Sequence, residues 1–382
     1  MRGAPVGCVD QLRPWFRLRA VPGVGDAAVC QLIHAFGSPA AVLAASVDAL
    51  MASGCVTLSA AQAIRQGPDE KAERAIDREL ALVGRLGFSV ITFLDAVYPP
   101  RLKLIPDPPP LLYVSGSLES MDRHAVAIVG SRHATVAGRL VTERLSRDLA
   151  AAGFTIVSGL ARGVDAAAHR GALEAGGRTV AVLGCGLDRT YPSEHQALRK
   201  QIEASGAVVA ELPLGAYPHG YHFPRRNRII SGMSLGVVVT EAALQSGSLI
   251  TARLAAEQGR EVFAVPGAVT AENSRGPNGL IKQGAKLVEH VADVIDELLP
   301  QLDGPFRERL QNRPPTQAGA KPELGKGEAA IHALLTAEPL HIDELIARAG
   351  LPASDVAGLL LALELKGAVR QLPGRSFVRA DI

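Results

Sequence analysis

The 382 residues leave room for two or three domains, and with 47% hydrophobic side chains a large core is expected. Forty basic against 38 acidic side chains give a formal charge of +2, so the chain as a whole does not attract polyanions and any such binding has to come from a local patch. No apolar run reaches the ~18–20 residues of a membrane helix, the start MRGAPVGCVDQLRPWFRLR has no apolar signal core, and Cys8, Cys30, Cys55 and Cys185 match neither zinc spacing nor a disulfide framework. A cytoplasmic protein with reduced thiols, no metal and no membrane partner is expected.

Residues 12–82 read as short helices. LRAVPGVGDAAVCQLIHAFGS carries apolar residues at helical spacing on both sides of Pro22-Gly23-Val24-Gly25. A glycine hairpin between two helices is the pattern of a helix-hairpin-helix, or SAM-like, module whose free amides can meet a phosphate. A plain helical turn gives the same pattern, and basic side chains are scarce in this hairpin. Next come FSVITFLD and YPPRLKLIPDPPPLLYVSGS, whose prolines force an extended path and predict short edge strands packed on the following domain.

From 124 onward, apolar β-branched runs (AVAIVG, FTIVSG, TVAVLG, AVVAEL, LGVVVTE, EVFAVPG) alternate with helical stretches. Continuous apolar strands with helices between them form a parallel sheet covered on both faces. The fold class expected is therefore α/β: an extended Rossmann-like doubly wound domain over 84–299, flanked by the helical N-terminal domain. Residues 300–326, rich in Pro, Gly and charge, read as a linker, and 327–382 as a winged helix.

Open parallel sheets bind ligands outside the carboxyl ends of their strands. There the chain places Gly130-Ser131-Arg132, then Ser158-Gly159 leading to Arg162, then Gly184-Cys185-Gly186, and Ser246-Gly247-Ser248 at the start of a helix. Small residues let amides approach an oxyanion, helix N-termini add partial positive charge, and guanidinium forks suit phosphate oxygens. Neither GxGxxG after the first strand nor GxxxxGK[ST] is present, so no dinucleotide cofactor and no P-loop nucleotide is expected.

The same edge receives YHFPRRNRII, between AVVAEL and LGVVVTE. Phe223 beside Arg225, Arg226, Asn227 and Arg228 suits a single strand of nucleic acid: a base stacks on the ring while arginines take the backbone. The alternative is a core Phe223 with arginines paired to Glu211 or Glu241, and Arg228 is the one expected to be structural. His169, one helical turn after Asp165, is expected to be a buried tether. Glu211 and Glu241 suit either the general acid of a nucleotide-cleaving enzyme or holders of arginines and amides. A transcription regulator with a ligand-sensing sheet domain is a further rival.

The stretches AIVGSR, IVSGLARGVDAAAHRGAL, AVLGCGLDRTYPSEH, HFPRRNRIISGMS, VVVTEAALQSGSLITARLAAEQGREVFAVPG and GPNGLIKQGAKLV, in this order, resemble the bacterial DNA-processing protein A (DprA/Smf) family. The resemblance covers nearly the whole Rossmann-like region and extends to the helical front end and the tail. It implies a non-catalytic, dimeric protein that coats incoming single-stranded DNA and loads the RecA recombinase during natural transformation. In that family the Gly-Ser-Arg loop meets phosphates, which falls on Gly130, Ser131 and Arg132. A phenylalanine of an arginine-rich loop stacks on a base there, which falls on Phe223. Lysines frequent in the family near the YP motif and before the HF pair give way to Ser193 and Gly220, which moves affinity toward Arg189, Arg199 or Lys200. The DNA-binding set expected is Gly130, Ser131, Arg132, Ser158, Gly159, Arg162, Phe223, Arg225, Arg226, Asn227, Ser246, Gly247 and Ser248. In the tail, ASDVAGLLLALELKG would be the groove-reading helix, but with Asp355 and Glu364 and no arginine it is expected to read no sequence.

Overall fold

A computed structural model describes residues 9–312, 324–336 and 338–379. Cys8, residues 313–323 of the expected linker, and residues 337 and 380–382 of the expected winged helix lie outside the described residues.

Six helices come first: α1 (Val9–Arg19), α2 (Asp26–Phe36), α3 (Pro39–Ala44), α4 (Val47–Ala52), α5 (Leu58–Gln66) and α6 (Glu70–Leu86). Ser38, Ser46, Thr57 and Asp69 start the last four by accepting the amide three residues on. Gly37 and Gly87, both left-handed, end α2 and α6. Strands and helices then follow: β1 (Ser89–Thr92), β2 (Leu111–Gly116), β3 (Ala125–Val129), α7 (Val136–Ala151), β4 (Thr155–Ser158), α8 (Val164–Glu174), β5 (Thr179–Leu183), α9 (Gln196–Ser205), β6 (Ala207–Ala210), α10 (His222–Met233), β7 (Gly236–Val239), α11 (Gly247–Glu257), β8 (Glu261–Ala264), α12 (Arg275–Lys282), β9 (Lys286–Leu287), α13 (Val291–Leu298) and α14 (Gly304–Gln311).

The sheet runs β1-β2-β6-β5-β4-β3-β7-β8-β9. From β6 to β9 every pairing is parallel, while β2 joins β6, and β1 joins β2, antiparallel. The chain winds outward from β3 through β4 and β5 to β6, then returns to lay β7 on the other side of β3, Val129 opposite Val239. The carboxyl ends of β3 and β7 are thus the point where strand order reverses, the place such sheets bind ligands. Alternate residues of β3 serve opposite faces: Ala127 and Val129 pack with Ile229 and Met233 of α10, Val126 and Ile128 with Leu145 and Leu149 of α7. The N-terminal helices share one apolar cluster with the sheet, Trp15, Phe16 and Leu32 joining Tyr113, Leu183 and Val208.

Two sequence expectations change here. The basic run is the first half of a 12-residue helix, not a loop. Pro224 is tolerated because it sits in the first turn, where its missing N–H has no helical partner to lose. Residues 304–311, within the expected linker, form α14, whose buried Phe306 stacks on His124 and meets Phe154 edge-on.

The tail follows as α15 (Lys326–Leu334), β10 (Leu340–His341), α16 (Ile342–Ala349), α17 (Ala353–Leu365), β11 (Val369–Leu372) and β12 (Ser376–Arg379), with its own core of Ile331, Leu345, Leu360 and Phe377. Arg370 of β11 reaches Glu143 of α7 at 2.6 Å. Among the described residues no single helix is long and apolar enough to cross a membrane.

A buried ion cluster joins the helical front to α10. Arg228 pairs with Glu211 and with Asp107 at 3.0 Å; Arg225 pairs with Glu211 at 3.2 Å and with Asp26, the first residue of α2, at 2.5 Å. Arg19 of α1 donates to the Glu211 carbonyl at 2.7 Å. Removing one member of such a buried set strands the others, which costs roughly 3–5 kcal/mol. Glu211→Gln is therefore expected to lower the midpoint of urea unfolding by a corresponding amount, while the exposed pair variant Glu70→Gln leaves it unchanged.

Candidate nucleic-acid interface

A cleft of about 780 Å³ opens at the reversal point of the sheet. One wall is the turn after β3. Gly130 is required by packing, since a Cβ there would stand 2.6 Å from Val164 and 2.7 Å from the Glu241 carbonyl oxygen. The Ser131 amide donates to that carbonyl at 2.6 Å, and the Ser131 hydroxyl accepts from the His133 amide at 3.1 Å. The loop so fixed leaves Arg132 and His133 exposed on the rim. The opposite wall is the start of α11, capped by Ser246. Gly247 carries the first amide of that helix, one of the four that have no internal partner, and a Cβ at this position would meet nothing within 4 Å. Asn227 of α10 holds the wall in place, donating from Nδ2 to the Gly247 carbonyl at 3.2 Å.

The floor is α10. The half-buried Phe223 ring has two guanidinium groups near it, Arg132 at 5.0 Å and Arg226 at 5.9 Å from its centroid, with the Tyr191 ring at 5.7 Å. Gly184 makes room for it, because a Cβ there would come within 2.9 Å of the ring. Arg226 is 6% exposed, and its Nε has no hydrogen-bond partner among the described residues. Burial pushes its guanidinium below the ordinary value, and only Asp165 works strongly the other way. Burial likewise pushes the Asp165 carboxyl up, while Arg226 and the amides of Ala161 and Gly159 pull it back. The two groups face each other across Gly159, where a Cβ would collide with Arg226 Nη1 at 1.4 Å.

Of the residues the sequence singled out, Gly130, Ser131, Arg132, Phe223, Arg226, Asn227, Ser246, Gly247 and Ser248 line this cleft. The others do not. Ser158 is fully buried and its hydroxyl donates to the Ile128 carbonyl at 2.7 Å. The Gly159 amide is taken by Asp165. Arg162 points outside the cleft and pairs with Glu194 at 2.5 Å. Arg225 is turned toward Asp26 and Glu211. The α2 start, for which the sequence left a phosphate contact and a plain helical turn both open, carries Asp26 and receives these arginines. Arg199 is buried, donating to the carbonyls of Leu187 and Arg189 at 2.6 and 2.7 Å, so it has nothing left for a ligand. Sequence reasoning missed His133, Gln245, Glu272 and Arg275. The last two follow β8, whose carboxyl end belongs to the same edge and would have led to them.

Both strand-end carboxylates are engaged. Glu241 accepts from the Thr135 amide at 2.8 Å, the Thr135 hydroxyl at 2.5 Å and Asn273 at 3.4 Å, which fastens the start of α7. Glu211 is the hub of the ion cluster above. Beneath the cleft, His169 is fully buried, its Nδ1 2.7 Å from the Thr179 hydroxyl. That hydroxyl donates its own proton to the Ile156 carbonyl, so the imidazole is the donor and Nε2 bears the lone pair.

The DNA recombination-mediator protein A model matches residues 89–299, and the DprA winged helix domain model matches residues 314–375. Protein Smf of Escherichia coli (strain K12) is 41% identical over 308 residues, which span 79% of this chain and 80% of that protein. The X-ray structure of DNA processing protein A from Streptococcus pneumoniae superposes with a TM-score of 0.64 at 35% identity, covering 75% of this chain and 97% of that one. A structure of the Helicobacter pylori DNA processing protein A, reported for its single-stranded DNA binding mode, gives 0.51 at 31% identity and covers 56% and 97%.

Burial, with His195 and Arg226 nearby, pushes the His169 imidazole down to about 3. An unfolded imidazole titrates near ~6.5. Between these values the unfolded chain binds a proton that the folded protein refuses, so stability is full above the upper value and falls as pH drops toward the lower. His169 is expected to cost the protein about 2 kcal/mol on going from roughly pH 7 to pH 5. Urea titrations at the two pH values should show a smaller loss in His169→Gln than in the parent; equal losses would refute the assignment.

Proposed function

The chain belongs to the DNA recombination-mediator protein A family, and from that premise we propose that it binds single-stranded DNA in the cleft at the β3/β7 reversal and performs no bond-breaking. In this reading it protects incoming DNA and loads the RecA recombinase during natural transformation, acting as a homodimer in the cytoplasm.

The observation that carries the reading is the half-buried Phe223 ring with Arg132 and Arg226 beside it in an open cleft. An unpaired base has a free face to lay on that ring; a base inside a duplex does not. Phosphates on either side of the base meet Arg132 and Arg275 on the rim and the amide end of α11. Arg226 is already desolvated, so an anion above it regains electrostatic energy without paying again to strip water from the cation. None of these contacts reads a base edge, so binding is indifferent to sequence. The Helicobacter relative, reported for its single-stranded DNA binding mode, supports the same ligand class.

The non-catalytic reading is supported by the use of Glu241 and Glu211, each occupied in holding amides or arginines rather than facing the cleft. The winged helix offers no groove reader, because the exposed positions of α17 are Ala353, Ser354, Asp355, Ala357, Gly358, Leu361, Glu364 and Leu365, with no Arg, Lys, Asn or Gln among them. RecA and the second copy enter from family membership.

Titration of fluorescent oligothymidylates is expected to give much tighter binding than a duplex of the same length, with affinity falling steeply as salt rises. Phe223→Ala should cost roughly 1–3 kcal/mol. Arg132→Ala should weaken all sequences alike and lower the salt slope by about 0.7. Unchanged affinity in both variants would refute the site, and release of free base from purine nucleotides by the parent protein would favour an enzyme.

A further inference from the structure

The chain has five tyrosines, and they divide sharply. Tyr98 and Tyr113 are buried in the core, whereas Tyr191, Tyr217 and Tyr221 are 42%, 60% and 71% exposed and lie together beside the cleft. Exposed rings gathered in one place, in a protein with only 4% aromatic residues, call for an occupant.

The rings fall in two groups on adjoining turns: Tyr191 against Phe223, and Tyr221 with His219 and His222 just before Phe223 in the chain. Tyr191 touches the Phe223 ring at 5.7 Å. The ring of His222, the residue before Phe223, lies 4.4 Å from that of Tyr221, and Tyr221 lies parallel to His219 within 4° at 5.6 Å. Tyr217 is backed by the Arg189 guanidinium, 3.8 Å from its centroid, which leaves its other face to solvent.

The loop that carries them is held rigidly. The Gly186 amide donates to the Ala216 carbonyl at 2.9 Å, the Gly215 amide to Asp188 at 2.7 Å, Arg189 Nε to the Gly215 carbonyl at 3.1 Å, and His222 Nδ1 to the Tyr217 carbonyl at 3.0 Å. Rings fixed in this way lose little freedom when a planar ligand settles on them. The charges fit as well. Asp188 is occupied by the Gly215 amide, while the Arg189 guanidinium behind Tyr217 leaves a positive charge next to that ring.

We propose that Tyr191, Tyr217 and Tyr221, with Arg189, form a second stacking stretch that receives further bases of the same unpaired strand after it leaves Phe223. A single strand is favoured over a protein partner because the rings begin at the floor of the cleft, through the Tyr191–Phe223 contact, and have a guanidinium beside Tyr217. The inference rests on the reading of the cleft as a single-stranded DNA site.

The test compares an oligothymidylate of about 5 nucleotides, short enough for the cleft alone, with one of about 15, near the upper end of single-strand site sizes. The double variant Tyr217→Ala/Tyr221→Ala is expected to bind the short oligomer like the parent and the long one at least about 30-fold more weakly, the lower bound for two stacks of the usual strength. The corresponding Phe/Phe variant, which keeps the rings, should restore the long-oligomer affinity. Parent-like binding of both lengths by the Ala/Ala variant overturns the proposal, and does so in favour of a protein interface if self-association measured by sedimentation falls at the same time. Equal weakening at both lengths also overturns it, since the tyrosines would then be shaping the cleft. Arg132→Ala is the independent control: if it leaves both lengths unaffected while the tyrosine variant weakens the long one, the cleft reading fails and the tyrosine contact stands.

Discussion

The phase of one helix decides what the basic run can do. A residue in an α-helix is turned about 100° from the one before it. Arg225 and Arg228, three apart, therefore share a face, and both meet Glu211 and Asp26. Arg226 is turned away from them into the cleft, beside Phe223. In an extended loop three like charges would repel one another and point at random. On α10 two are neutralised by acids from the sheet and from the helical front, and the third is delivered alone. The same acids fasten the N-terminal helices to α10, so docking of that domain and aim of the cleft are one constraint.

This also explains how a chain of formal charge +2 can present a basic site. Most arginines are spent: Arg178 on Glu119 and Asp122, Arg199 on Glu203 and carbonyls, Arg225 and Arg228 on the ion cluster. Arg132 and Arg275 have no ion-pair partner among the described residues, and Arg226 faces a single buried carboxylate. Local excess, rather than global charge, sets the field that a phosphate meets at the rim.

The sheet was legible because its strands are continuous apolar runs, and the cleft's place was legible because parallel sheets bind at their carboxyl edge. The form of α10 was not. Pro224 and three arginines in four residues have the composition of a loop, and the apolar positions that betray the helix, Ile229, Ile230 and Met233, come only after the basic run. Ser158 and Gly159 were misread for a different reason. Their types suit phosphate binding, but their hydrogen-bonding groups are consumed by Ile128 on the neighbouring strand and by Asp165 on the following helix, and only the fold shows those partners. Arg275 was overlooked because ten residues separate it from the end of β8. Phe306 was hidden by a stretch whose prolines and charges resemble a linker.

The glycines of this edge lead to a last distinction. Gly130, Gly159, Gly184 and Gly138 leave space for Val164, Arg226, Phe223 and Glu241 respectively. They admit side chains rather than bring amides to a ligand. A nest of amides encloses one phosphate in one position and suits a mononucleotide. A ring with two guanidinium forks beside it sets no such stop: each successive base offers an equivalent face and each linkage an equivalent charge. With most glycines of the edge committed to packing, the proposed reading of the cleft as a single-strand site lets a polymer advance by one unit and find the same contacts again.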